Sequence, residues 1–132
     1  MAADDQALVM QLRIGEKHRV LLVSDSGKAT EAALLASPNE LESEILVKGQ
    51  YYSGQSGSPE FLDVVKPQLI IATSVDFPTR ERIPDEWEQM VRERGIRLFR
   101  QDQTGAVQLQ FRDREWRATG FVNHETLRRV SR

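Results

Sequence analysis

The sequence predicts an α/β fold, a mixed sheet with flanking helices. Short runs rich in leucine and β-branched residues alternate with helix-forming stretches, apolar residues recur at helical spacing near Trp87, and strand-like runs then succeed one another with no helix between them.

Taken in order, residues 7–14 and 18–24 read as the arms of a hairpin, with Gly15, Glu16 and Lys17 as turn material. After Asp25, Ser26 and Gly27, the alanine- and leucine-rich stretch 29–36 favours a helix, stopped by Ser37, Pro38 and Asn39. Residues 44–48 are an apolar run of buried-strand length, and 49–57 form a loop of glycine, serine and tyrosine. Ser58 before Pro59 is an N-cap with proline at the first helical position, so a short helix is expected over 60–65. Pro67 restarts the chain into a strand over 69–73, and an irregular loop runs on to Pro84.

Between residues 85 and 94, Trp87, Met90 and Val91 fall at i, i+3 and i+4, with Glu88 and Arg92 paired on the outer face and Gly95 as the stop. Residues 96–100, 106–111 and 116–122 read as strands, the last two joined by a turn at 112–114. The domain is therefore expected to span 1–122, with 123–132 as a frayed polar tail. This order packs helices on one side of the sheet and leaves the other face needing a cover, from an upstream half or from self-association.

Hydrophobic residues make up 39% and charged residues 29%, ordinary for a folded domain and too apolar for a disordered one. The longest apolar runs, at 20–23 and 69–72, are far too short to cross a bilayer, and no apolar leader is seen, so the piece is expected to be soluble as given. With no cysteine there is neither a disulfide nor a thiolate metal site. The net charge of −2 excludes an indiscriminate polycation. The basic residues after Lys66 are all arginines, including Arg97, Arg112 and Arg117, but interleaved acids favour a solvated mixed-charge surface over a phosphate patch.

Two local patterns carry chemistry. The run LLVSD at 21–25 delivers Asp25 from a buried strand into a small-residue turn, where it either caps the next helix or its turn, or binds metal. In the loop after residue 48, Lys48, Ser53, Gly54, Ser56 and Ser58 form either an ordinary ordered loop or an anion- or DNA-binding one, in which backbone amides converge near a helix start. Neither a Walker phosphate loop nor a dinucleotide fingerprint is present. His18 and His124 read as surface residues, and no G-x-S-x-G elbow supports a serine nucleophile.

The segments ADDQALV at 3–9, LLVSD at 21–25, ILVKGQYYSG at 45–54, PEFLDVVKP at 59–67 and GIRLFRQDQTGAV at 95–107 resemble, in order and spacing, ComEC-type DNA-internalisation competence proteins. The resemblance is to the C-terminal half of that family's metallo-β-lactamase-type domain, an α/β/β/α sandwich. It implies attachment to a bacterial inner-membrane channel that imports single-stranded DNA, with this domain on the outer side. It also implies a metal site built from an upstream H-x-H-x-D-H motif, further histidines and an aspartate. Asp25 matches that aspartate, Tyr51 and Tyr52 stand where the family has paired histidines, and Arg82 stands at a further histidine position. A tyrosine phenol stays protonated near neutrality and is a rare zinc ligand.

The expectation is therefore a ComEC-like module of DNA uptake, non-catalytic as this chain and needing no cofactor. Its partners would be single- or double-stranded DNA, a membrane channel domain of the same protein, or a second copy. Zinc or manganese would enter if an upstream segment completed the site, making the chain half of a metal-dependent DNA phosphodiesterase. A protein-binding or dimerising module is the remaining alternative.

Overall fold

A computed structural model describes residues 8–24, 26–37, 40–49, 56–73 and 83–130. The hairpin forms as expected: β1 (Met10–Ile14) runs antiparallel to β2 (His18–Ser24), with Ile14 opposite His18. From β2 the chain alternates strictly through α1 (Lys28–Leu35), β3 (Ile45–Lys48), α2 (Pro59–Val65), β4 (Leu69–Ala72), α3 (Asp85–Glu93) and β5 (Arg97–Arg100). β2 to β5 pair in parallel, giving a five-stranded sheet of order β1-β2-β3-β4-β5.

The central residues of the parallel strands are apolar because both faces are covered. On one face Leu21, Leu46, Ile70 and Leu98 meet Phe61, Leu62 and Val65 of α2 and Val91 of α3. On the other face Val20, Ile45, Leu69, Ile71 and Phe99 meet Trp116, Ala118 and Leu127. The sheet is thus the middle of three layers.

The expectation that the second face would lie open is corrected here. After one helical turn, α4 (Gln101–Thr104), the chain leaves the sheet and builds a separate antiparallel one, β6-β7-β8, from Val107–Phe111, Glu115–Gly120 and Thr126–Val130. Its inner positions carry Leu109, Phe111, Trp116, Ala118 and Leu127, and its outer positions Gln108, Gln110, Arg117 and Arg128, the period-two alternation of a sheet wet on one side.

The frayed tail expected over 123–132 is also corrected. Thr126–Val130 is a full strand, with Leu127 buried opposite Ala118 and Glu125 accepting from Arg97 at 2.5 Å. Its single buried side chain gives little apolar signal, which is why it reads as a tail. Exposed large apolar side chains remain at two places among the described residues: Met10 and Leu12 on β1 with Leu8 just before it, and Phe121, Val122 and Val130 around β8.

Local rules explain the element ends. Ser58 caps α2 by accepting from the Phe61 amide at 3.2 Å, and Lys66 ends the helix in the left-handed region at φ 53°, with Pro67 next in sequence. Several arginines of the second half pair with acids, as the interleaved charges imply: Arg92 and Arg100 with Glu88, Arg100 with Asp102, Arg94 with Asp63, and Arg128 with Glu115.

Candidate functional site

In an open parallel sheet, ligands collect outside the carboxyl ends of the strands, where the loops leave for the helices. Here that edge carries Ser24, Lys48 and Ala72, the last residues of β2, β3 and β4. The β2–β3 register shifts between Leu22 and Ser24, Ser24 takes a left-handed φ of 52°, and the Ser26 amide donates to the Val23 carbonyl at 3.1 Å. The chain therefore turns sharply as it leaves β2, and the Gly49 amide ties β3 to that turn by donating to the Ser24 carbonyl at 2.6 Å.

Three side chains from three elements meet beside this edge. Glu31 of α1 is only 3% exposed and accepts from the amides of Gly57 at 2.5 Å and Ser58 at 3.2 Å. Lys48, 2% exposed, donates to the Gly49 carbonyl at 2.9 Å and places Nζ 4.7 Å from the centre of the Trp87 ring. Trp87 of α3 donates from Nε1 to the Gly57 carbonyl at 2.9 Å. Glycine is required at 57: φ is +69°, and a Cβ there would lie 2.7 Å from Trp87 Nε1.

Burial pushes the Glu31 carboxyl above its ordinary value, outweighing the Gly57 and Ser58 amides and the Lys48 charge, which act the other way. Two hydroxyls at this end, of Ser26 and Ser56, are buried without a hydrogen-bond partner among the described residues. A pocket of about 590 Å³ opens beside Ser56, between α1, the start of α2 and α3, with Leu35, Trp87 and Met90 as its apolar side and Ser56 and Glu31 as its polar side.

Of the residues singled out in the sequence, Lys48, Ser56 and Ser58 come together here. Asp25, Tyr51, Tyr52, Ser53, Gly54 and Arg82 lie outside the described residues. Among the described residues, no group of three or more histidine, cysteine, aspartate or glutamate side chains is placed to hold a metal ion. Glu31 and Trp87 were missed as site residues. A signal existed for Glu31: it stands at i to Leu34 and Leu35 at i+3 and i+4, on the helix face that meets the core.

The reading of His18 as a surface residue is corrected. At the opposite, amino end of the strands it is 3% exposed, with Nδ1 3.0 Å from Glu44 Oε1, Nε2 bonded to the Arg112 carbonyl, and the Phe111 ring centre 5.2 Å away. A carbonyl oxygen only accepts, so Nε2 carries the hydrogen. This histidine fastens the main sheet to the β6–β7 turn. His124 is exposed, as expected.

No model of a known protein family matches the chain. It is 31% identical over 107 residues to competence protein ComA of Neisseria gonorrhoeae, a stretch that is 80% of this chain and 16% of that protein. The chain is ComEC-related. The similarity covers most of this chain, while the ComEC-related stretch is a small part of the relative's own length. Among the described residues, no helix is long and apolar enough to cross a membrane.

Proposed function

We propose that this chain is a non-catalytic module of a DNA-uptake apparatus, corresponding to the C-terminal half of a metallo-β-lactamase-type sandwich and acting by binding or scaffolding. The match to a competence protein over 107 residues carries the reading. The element order supports it, since a helix layer backed by two sheets is three of the four layers of such a sandwich. In this reading the whole protein is membrane-attached, with this domain on the outer side of the membrane.

The metal centre of that sandwich does not fit the residues present. Tyr51, Tyr52 and Arg82 stand at three of the family's histidine positions, which leaves Asp25 as the one matched ligand. Two-metal hydrolysis needs both ions held together to activate water and to stabilise the leaving oxygen.

A fluorogenic assay on single- and double-stranded DNA, with manganese or zinc added, is expected to show no cleavage above the buffer rate. Metal-dependent cleavage that disappears in Asp25→Ala would overturn the non-catalytic reading and favour half of a working phosphodiesterase.

A second reading rests on the exposed Met10 and Leu12 of the outer strand and Leu8 just before it, which suit self-association along that edge. Sedimentation velocity would then show a concentration-dependent dimer that Leu12→Lys abolishes, and a monomer at every concentration removes this reading.

A further inference from the structure

We propose that the pocket between α1, the start of α2 and α3 binds a nucleobase, stacked on Trp87 and hydrogen-bonded at its edge by Ser56. The inference deepens the DNA-uptake reading and rests on it for the source of the base.

The pocket combines what a planar, edge-polar ring needs. Trp87 is partly buried and lines the pocket, Leu35 and Met90 continue the apolar side, and about 590 Å³ is ample for a purine with its sugar. The Ser56 hydroxyl, 7% exposed, lines the same pocket and has no hydrogen-bond partner among the described residues, although an unsatisfied buried hydroxyl costs free energy. A ring nitrogen or exocyclic group of a base satisfies it, because a hydroxyl both donates and accepts.

Trp87 is prepared for stacking by its other contacts. Its Nε1 bond to the Gly57 carbonyl and the close approach of Gly57 fix the ring, so little freedom is lost on binding. Lys48 Nζ, 4.7 Å from the ring centre, draws on the π-density from a buried position. A ring polarised in this way favours an electron-rich partner, which selects purines over pyrimidines. Glu31 holds the Gly57–Ser58 backbone that forms the polar wall, and the exposed Lys28 and Glu60 also line the pocket, so its charge is mixed. The second tryptophan, Trp116, is 1% exposed in the inter-sheet core, so quenching of tryptophan emission by an added base reports on Trp87.

The test titrates the whole chain with a single-stranded deoxyadenosine oligomer, the same oligomer made of abasic sites, free dAMP, and inorganic phosphate. Binding is read by tryptophan emission and by anisotropy of labelled strands. The base-containing oligomer is expected to quench emission and to bind about tenfold or more tighter than the abasic one, the range of one base–aromatic stack. Trp87→Phe and Ser56→Ala, checked for folding by circular dichroism, should each reduce that difference.

Quenching by dAMP with no gain from the oligomer would support the pocket while removing a DNA strand as its source. Equal anisotropy changes for the base-containing and abasic strands, with emission unchanged, would overturn the pocket and leave DNA binding through the backbone. If no probe binds, the pocket falls and any role in DNA uptake is left to scaffolding alone.

Discussion

Glu31→Ala is expected to lower the unfolding free energy by about 3 kcal/mol, one of the largest single-residue effects in the chain. The substitution leaves the Gly57 and Ser58 amides without their acceptor and Lys48 buried beside Trp87 without the neighbouring carboxylate. Each orphaned donor costs about 1–3 kcal/mol, and relief of the buried carboxylate offsets part of that sum.

Glu31→Gln separates the two contributions. Burial raises the Glu31 carboxyl above its ordinary value near 4.5, so the folded state holds this proton more tightly than the unfolded state. Its contribution to stability is fully present below the unfolded value and is lost as pH rises through the folded one. Urea denaturation from pH 4 upward should therefore show the wild-type protein losing stability relative to Glu31→Gln. Glu31→Ala should stay below both across the range. A wild-type protein that gains on Glu31→Gln as pH rises would show that Lys48 and the two amides outweigh burial.

Much of the middle layer was legible in the sequence because its signals are local. Helix formers stopped by Ser37 and Pro38, the Ser58–Pro59 start of α2 and the i, i+3, i+4 spacing of Trp87, Met90 and Val91 each act within a turn or two of chain. The departure of β6, β7 and β8 into their own sheet was not legible. It depends on which strands pair at long range, and period-two alternation looks the same in either sheet. β8 was missed because Leu127 is its only buried position.

The site divides in the same way. The loop after Lys48 announces itself by its glycines and serines, and Ser56 and Ser58 do line the pocket. Glu31 was harder to see because it is charged, and a charged side chain is rarely fully buried unless paired. It is buried with Lys48, which comes from a different element, across a fold that the local sequence does not encode. His18 repeats the lesson at the other end of the strands: its carboxylate and carbonyl partners, Glu44 and Arg112, are 26 and 94 residues away.

Trp116→Ala is expected to cost about 3–5 kcal/mol, the range for removing a large buried aromatic. A domain of this size has only about 5–15 kcal/mol in all. Trp116 is 1% exposed and is the largest side chain between the two sheets, packed with Ile45, Leu69 and Phe99 from the main sheet. Its Nε1 donates to Gln68 Oε1 at 3.2 Å, so truncation opens a cavity and also removes the donor to a partly buried acceptor. Trp116→Phe keeps most of the ring and loses mainly that hydrogen bond, about 1 kcal/mol. The ratio of the two losses, from denaturation midpoints at constant slope, measures how far the second sheet is held by packing. If both substitutions cost the same, the Gln68 bond and not the inter-sheet core is what Trp116 provides.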